Sequence, residues 1–230
     1  MENLKPVKEL ELYIIRHGQS MGNAGYDKED LTLKESSDPY LTKLGIEQAQ
    51  KAADALSEVV FDAVYSSALL RAVQTASEII KKQSDTLVLN IHPLFTEVSV
   101  DPQYHGADMD EIRSICSTAV LAEGLSECES LICHNDYYDE KGMFERARNS
   151  LDMLRDKYKN GEKVAVVCHA AYMTFLVFHI MGYETNVPLF DIDFNNTSVT
   201  KVVFYKEGTN KYGDIVFEYI NSIRHLNDKY

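Results

Sequence analysis

The 230-residue chain is poor in several residue types, and their scarcity limits what the protein can be. It has no tryptophan and only four cysteines, and 23 lysines and arginines stand against 36 aspartates and glutamates, giving a net charge of −13. Nucleic acids and anionic membranes are bound through basic surfaces, so this balance argues against both as partners. The few cysteines form no dense disulfide framework, which favours a protein with reduced thiols.

Long hydrophobic runs are missing too. The longest apolar run, near residues 175–181, is too short to span a bilayer, and the first ten residues lack the apolar stretch of a secretory signal. We therefore expect a cytoplasmic protein. A hydrophobic fraction of 45% and a charged fraction of 26% are typical of a globular protein, and the length suits one α/β domain. The sequence does not indicate an oligomeric state.

An apolar run over residues 12–15 leads directly into Arg16, His17 and Gly18. Such a run, closed by a turn, is typical of a strand buried on both faces of a sheet. Ligands of open α/β sheets bind beyond the carboxyl ends of the strands, so Arg16 and His17 are expected at a binding site. Arginine is a planar cation suited to phosphate or carboxylate, and histidine can serve as nucleophile, base or metal ligand.

The hydrophobic patterns of the remaining chain predict alternating strands and helices. Further strands are predicted at 61–67, 86–91, 163–169, 198–205 and 214–220. Helices are predicted at 42–60, 68–82, 108–121, 142–158 and 170–181. This alternation indicates an α/β fold, a three-layer α/β/α architecture with a mostly parallel sheet. We expect a single domain over residues 1–230, with a helical lid insertion at roughly 98–140.

Helix starts give more local predictions. Thr42 is expected to cap the first predicted helix, and Ser66 or Ser67 the second. Gly45 lies inside the first helix, where glycine is less stable than alanine. A close approach between this helix and a strand is the simplest reason for a glycine there. In the helix at 142–158, the basic residues, Arg146 among them, are interpreted as a solvated face.

Polar residues with catalytic chemistry follow four of the predicted strands. They are Arg16 and His17 after the first, Arg71 after the second, Glu97 after the third, and His169 after the fourth. Parallel strands end at one edge of a sheet, so these side chains are expected to share a pocket. Two arginines suit a dianionic phosphoryl group, which they bind through charge-assisted hydrogen bonds. In an acidic protein, binding of an anion must depend on such a local cluster of cations.

These residues belong to an ordered series of motifs along the chain. The series comprises Arg16-His17-Gly18, Asn23, Leu41-Thr42-x-x-Gly45 with Gln48-Ala49, Ser66-Ser67 with Arg71-Ala72 and Thr75-Ala76, Leu94 to Glu97, Val167-x-His169, and Asn196 to Val199. It resembles the histidine phosphatase superfamily, which includes cofactor-dependent phosphoglycerate mutases and phosphatases related to them. An isolated Arg-His-Gly is a weak indication, whereas the whole series at these spacings is a strong one.

The resemblance implies a role for each matching residue. His17 would be the nucleophile that forms a phosphohistidine, and Glu97 would protonate the leaving alcohol. Asp101 is the alternative to Glu97 as the acid. Another set would hold the phosphoryl oxygens: Arg16, Asn23, Arg71, His169 and the backbone N–H of Ala170. No metal and no cofactor is implied, because the arginines supply the positive charge.

The match to the family pattern has departures that concern the substrate. The family usually has glycine after the second histidine, where this chain has Ala170, and it commonly has tryptophan downstream of the acid. Residues 98–140 contain one cation, Arg113, whereas a mutase needs further basic residues to hold a second phosphate. We therefore favour a metal-independent phosphomonoesterase acting on small phosphorylated metabolites. A phosphoglycerate-type mutase and a non-catalytic, phosphate-binding regulatory protein are the alternatives.

Overall fold

A computed structural model describes residues 5–25, 32–98, 100–126, 130–134, 139–185 and 191–226. Within these ranges seven strands form one sheet, in the order β4-β3-β2-β5-β1-β6-β7. The strands are β1 (Lys8–Arg16), β2 (Ala63–Ser66), β3 (Leu89–Ile91), β4 (Ala119–Leu121), β5 (Glu162–Cys168), β6 (Val199–Tyr205) and β7 (Ile215–Ser222). Strands β1 to β5 pair in parallel, and β6 and β7 add an antiparallel edge.

Helices pack on both faces of this sheet. They are α1 (Leu33–Ser37), α2 (Lys43–Leu56), α3 (Leu70–Ile80), α4 (Met109–Ile115), α5 (Glu140–Lys157) and α6 (Ala170–Ile180), with 3-10 turns at Pro93–Phe95 and Arg224–Leu226. Tyr13 and Ile15 of β1 pack in one core with α2, α3 and α4, whereas Leu12 and Ile14 pack in a second core with α5 and α6. The predicted three-layer α/β/α fold is confirmed. In the described ranges no helix is long and apolar enough to cross a membrane.

The register of the parallel strands aligns the ends that carry the polar residues. Arg16 lies opposite Cys168 in the β1–β5 pair, and Ser66 lies opposite Val167 in the β2–β5 pair. The next residues of β1 and β5 therefore leave the sheet side by side at one edge. The side chain of Cys168 points away from this edge into the second core, because successive strand residues face opposite sides.

The segment after β3 differs from the prediction. The helix predicted over 108–121 was too long, because α4 ends at Ile115 and Ala119–Leu121 forms the edge strand β4 beside β3. Pairing with β3 satisfies the backbone hydrogen bonds of this segment and buries Ala119. This gain outweighs the weak helical periodicity of the segment. The strand predicted at 86–91 is also shorter, Leu89–Ile91. Residues 99, 127–129 and 135–138, part of the predicted lid, lie outside the described ranges.

The N-terminal end of α2 packs directly against the turn that follows β1. Thr42 caps α2, as predicted, by accepting a hydrogen bond from Gly45 N at 3.0 Å. A Cβ atom on Gly45 would lie 2.0 Å from the carbonyl oxygen of Gln19, and one on Gly18 would lie 2.4 Å from the carbonyl oxygen of Gly45. Glycine is therefore required at both positions by contact between two backbones, and the turn carrying His17 is fixed against α2.

Replacing Gly45 with alanine will destabilise the protein by about 3 kcal/mol, because two backbone segments must separate to admit one methyl group. Urea unfolding followed by circular dichroism measures this change. The matched control is Glu47→Ala, an exposed position in the same helix, for which we expect a change within about 0.5 kcal/mol. Equal stabilities of the two variants would contradict the close approach.

Candidate active site

His17 is buried directly after β1, with 3% of its surface exposed. Its backbone N–H donates to Cys168 O at 3.0 Å, and its carbonyl accepts from Thr197 N at 3.2 Å. The ring atom Nδ1 lies 2.6 Å from Gly18 O. A carbonyl oxygen can only accept, so Nδ1 carries the proton and Nε2 carries the lone pair. Arg71 Nε donates to that Nε2 at 3.3 Å.

The surroundings of His17 keep its ring neutral. Its pKa lies well below the ordinary 6.5, because burial penalises the charged form and the cations of Arg71 and Arg16 repel it. The hydrogen bond to Gly18 acts in the opposite direction but is the weaker influence. A neutral imidazole with its tautomer fixed is the form that can attack an electrophile.

His169 and Arg16 present buried polar atoms toward the same space. The rings of His17 and His169 are 5.1 Å apart between centroids. Both ring nitrogens of His169, and Nε of Arg16, are buried without a hydrogen-bond partner within the described ranges, whereas Arg16 Nη1 donates to Phe194 O. Buried polar atoms normally have partners, so the Nε–H of Arg16 and the one N–H of the His169 ring are suited to an anionic ligand bound between them.

Arg71 lies in the first turn of α3 and is itself held from behind. Its Nη1 is 3.5 Å from Asp38 Oδ1 and donates to Ser37 O at 3.4 Å. Thr75, one helical turn later, donates from Oγ1 to Arg71 O at 2.8 Å and accepts from Gly18 N at 3.0 Å. The two hydrogen bonds of Thr75 therefore connect the turn beside His17 to the helix that carries Arg71.

Asp38 is a buried residue of the site that was not predicted from the sequence. It is 1% exposed, and its carboxylate accepts from Leu70 N at 2.8 Å and from the hydroxyl of Tyr104 at 2.8 Å. The predicted capping of α3 by Ser66 or Ser67 is wrong, because α3 begins at Leu70, where Asp38 takes the first free N–H. Burial raises the pKa of Asp38 to about 6, against the opposing influence of Arg71.

The raised pKa of Asp38 predicts a pH-dependent contribution to stability. The pKa of Asp38 in the folded protein, about 6, exceeds its ordinary value of 3.8. Between these two pH values the folded state therefore binds more protons than the unfolded state. The stabilisation that Asp38 gains from this proton is complete below pH 3.8 and is lost as the pH rises through 6. We expect wild type to gain about 1 kcal/mol over Asp38→Asn as pH falls from about 7 to about 5. Urea unfolding at both pH values measures the difference, and the exposed Asp110→Asn should show none.

Glu97 reaches the site from the loop after the 3-10 turn at Pro93–Phe95. Its Oε1 accepts from Tyr172 N at 3.0 Å, in the first turn of α6, and from Val98 N at 2.9 Å. Glu97 thereby caps α6, whose N-cap residue, His169, makes no side-chain cap of its own. This capping leaves both ring nitrogens of His169 to face the site.

Arg146 is buried in α5, and its interpretation as part of a solvated face is wrong. It is 4% exposed, its Nη1 donates to Thr96 O at 2.6 Å, and its guanidinium lies 4.9 Å from the ring centre of Tyr172. Planar stacking and a buried carbonyl partner compensate the guanidinium for lost water. Arg146 therefore fixes the backbone immediately before Glu97.

The remaining predicted residues lie around this centre. Asn23 is exposed, and its Oδ1 accepts from Ser20 N at 3.1 Å and from Asn196 Nδ2 at 3.2 Å, the same group that donates to His17 O. Ala170 is the first residue of α6 and is half-buried.

Thr197, which supports the His17 carbonyl, has φ = 56°, a rare value for a β-branched residue. The strained backbone at Thr197 lies directly beside the proposed nucleophile.

A cavity of about 290 Å³ opens beside Arg71. Its lining is polar near α1 and mixed along the loop after Glu97: Ser36, Ser37, Arg71, Glu97, Val98, Val100 and Asp101. Its size fits a small organic group attached to an anion held by the arginines. The geometry therefore combines a neutral imidazole, two guanidiniums, a carboxylate and a space for a substituent.

Solved structures with the same fold include a phosphoserine phosphatase and a phosphoglycerate mutase. A phosphoserine phosphatase of Entamoeba histolytica is 22% identical, with a TM-score of 0.58 over 94% of this chain and 99% of that one. A phosphoglycerate mutase of Bacillus anthracis is 19% identical, with a TM-score of 0.57 over 98% of both chains. At these identities the likeness shows the fold alone.

Sequence comparison identifies the family. A curated relative, fructose-2,6-bisphosphatase TIGAR of Xenopus laevis, is 41% identical over 70 residues, 30% of this chain but only 24% of that protein. The match thus spans about a quarter of the relative's length. The profile of the histidine phosphatase superfamily (branch 1) matches residues 12–212, which include every site residue described above. This protein therefore belongs to the histidine phosphatase superfamily, branch 1.

Proposed function

We propose that this protein is a phosphomonoesterase that hydrolyses small phosphorylated metabolites through a phosphohistidine on His17. The observation that carries the proposal is the buried, neutral ring of His17. Its Nε2 lone pair accepts from Arg71 Nε, and Arg16 Nε and the ring of His169 have no hydrogen-bond partner within the described ranges. Phosphoryl transfer depends mainly on positioning and on stabilising negative charge, and this arrangement supplies both without a metal.

The first step transfers the phosphoryl group to the enzyme. The N–H of Arg71 Nε moves from Nε2 of His17 to a phosphoryl oxygen, Nε2 attacks phosphorus, and the bond from phosphorus to the ester oxygen breaks. The guanidiniums of Arg16 and Arg71 neutralise the charge on the non-bridging oxygens as it redistributes. His169 donates one ring N–H to them as a neutral imidazole, because burial and the neighbouring cations hold its pKa well below 6.5. Two further donors assist them, Asn23 Nδ2 and the backbone N–H of Ala170 at the start of α6. Glu97 gives its proton to the departing alkoxide, so a neutral alcohol leaves.

The second step returns the enzyme to its starting state. Glu97, now ionised, takes a proton from a water molecule as its oxygen attacks phosphorus, and the bond from phosphorus to Nε2 breaks. Inorganic phosphate leaves, His17 is again neutral, and Glu97 is again protonated. The Nδ1 hydrogen bond to Gly18 O persists through both steps and stabilises the positively charged ring of the intermediate.

Hydrolysis is favoured over mutase chemistry by the charge of the cavity. A mutase returns the phosphoryl group to a substrate that must stay bound, which requires cations for its other anionic group. Among the described residues that line the cavity, Arg71 is the one cation, and it already serves the phosphoryl site. Water is then the acceptor that the cavity admits most readily.

An assay of phosphate release tests the proposal. The purified protein is incubated with p-nitrophenyl phosphate and a panel of sugar and glycerate phosphates, with and without a metal chelator. Chelator-resistant release of phosphate supports the phosphatase. Isomerised product without free phosphate would establish the mutase instead. Absence of an acid-labile phosphoprotein in wild type would refute both and leave a phosphate-binding regulatory protein.

The remaining sequence-based expectations become proposals about the setting of this activity. A single domain over residues 1–230, with a substrate-covering lid at roughly 98–140, is supported by the two cores that share one sheet. A cytoplasmic location is supported by the free thiols of Cys116 and Cys168. The net charge of −13 supports small phosphorylated substrates rather than nucleic acid or anionic membranes as partners.

A further inference from the structure

The cavity beside Arg71 has an electrostatic character that bears on the substrate. Once Arg16, Arg71 and His169 hold a phosphoryl group and Glu97 contacts the ester oxygen, the alcohol portion must extend past Glu97 into the rest of the cavity. There it meets the hydroxyls of Ser36 and Ser37, the side chains of two valines, and the carboxylate of Asp101.

Two cations on the helices that contribute to this cavity, one on α1 and one on α3, are engaged with other residues. Lys34 of α1 donates from Nζ to both carboxylate oxygens of Glu111, at 2.6 and 2.7 Å. Arg71 uses Nε on His17 and Nη1 on Ser37 O and Asp38. Within the described part of the lining, no other lysine or arginine is present to receive a carboxylate or a second phosphate.

Asp101 is exposed at the cavity, and one of its oxygens is held in place. Its Oδ1 accepts from Gln103 N at 2.8 Å, so the carboxylate is oriented by the backbone that follows it. A carboxylate fixed in this way attracts a cation and repels an anion across the cavity. The net charge of −13 on the whole protein acts in the same direction.

We propose that the cavity selects phosphate monoesters of amino alcohols over those of hydroxy acids, and that Asp101 is the residue that determines this selection. The inference rests on the proposed phosphatase function and specifies its substrate class. The ammonium group of the substrate would face Asp101, its hydrocarbon portion Val98 and Val100, and any further hydroxyl Ser36 or Ser37.

Three phosphate esters of equal length and different charge test the selection. They are O-phosphoethanolamine, the phosphate monoester of ethylene glycol, and phosphoglycolate, whose second groups are cationic, neutral and anionic. For wild type we expect kcat/KM to fall in that order, by about tenfold between the first and the last. A partly exposed carboxylate produces an effect of this size when its attraction of the cationic group and its repulsion of the anionic group add together.

Two substitutions assign the selection to Asp101. In Asp101→Asn the ratio of kcat/KM between O-phosphoethanolamine and phosphoglycolate should fall towards one, and in Asp101→Lys it should invert. The ratio is the readout, because a general loss of activity does not change it. The control is Asp110→Asn, the same loss of charge at an exposed position of α4, which should keep the wild-type ratio.

Failure of this inference can be told apart from failure of the proposed function. If wild type releases phosphate from p-nitrophenyl phosphate but prefers phosphoglycolate, or if Asp101→Lys keeps the wild-type ratio, the selection is overturned while the phosphatase stands. If no ester releases phosphate, including p-nitrophenyl phosphate, the proposed function is overturned and the selection with it.

Discussion

Replacing His17 with alanine will lower phosphate release by at least about 10³-fold and will abolish the acid-labile phosphoprotein. The side chain supplies the attacking nitrogen. The neighbouring ring of His169 has no hydrogen bond within the described ranges that would fix its tautomer, as Gly18 O fixes that of His17. The buried Cys168 cannot substitute, because its side chain packs in the second core and burial raises the pKa of its thiol. The measurement is a steady-state assay together with acid-quench trapping of protein-bound phosphate.

A matched control separates loss of the nucleophile from loss of a histidine. His179 lies in the last turn of α6, at the opposite end of that helix from His169. His179→Ala should retain both activity and the phosphoprotein. The His17→Ala variant should still bind inorganic phosphate, detected as a rise in melting temperature, because the donors of Arg16, Arg71 and His169 remain. Full activity in His17→Ala would exclude the phosphohistidine mechanism.

The centre of the site could be predicted from the sequence because it follows from strand order. An apolar run that ends in Arg16 and His17, and a second that ends in His169, had to meet once both became neighbouring parallel strands. The in-register pairing of Arg16 with Cys168 confirms that expectation. Gly45 indicated a close approach between its helix and a strand, and the close contact is instead with Gln19, in the turn after β1.

The support around this centre could not be predicted, because it depends on tertiary contacts between distant segments. In sequence Asp38 belongs to an Asp-Pro turn, and nothing local shows that it will be buried against Leu70, Arg71 and Tyr104. Arg146 has the spacing of a surface residue on an amphipathic helix, yet its side chain is buried because it donates to the carbonyl of Thr96. Long-range partners of this kind override local pattern.

The same reasoning explains why the acid was the least certain residue in the sequence. Glu97 and Asp101 lie four residues apart in a stretch without regular periodicity, and either could face a leaving group. We propose Glu97 as the acid because the N–H groups of Tyr172 and Val98 orient its carboxyl at the start of α6, the helix that follows His169. Asp101 is instead oriented by Gln103 and also lines the cavity.

Changing Glu97 to glutamine will therefore produce a loss that depends on the leaving group. The amide keeps an oxygen for the N–H of Tyr172 but cannot donate a proton as an acid does. For an alkyl ester such as O-phosphoethanolamine, whose alkoxide needs that proton, we expect kcat/KM to fall by about 10²- to 10⁴-fold. For p-nitrophenyl phosphate, whose leaving group departs as a stable anion, the fall should be less than about tenfold.

A plot of log kcat/KM against the basicity of the leaving group, for wild type and variant, measures this difference as a change in slope. Glu123→Gln is the matched control, since Glu123 is exposed and pairs with Lys157 away from the site, and its slope should equal that of wild type. If the slope changes in Asp101→Asn but not in Glu97→Gln, the acid is Asp101. Glu97 would then only cap α6. The effect of Asp101 on substrate charge preference would have to be measured separately from its effect as the proton donor.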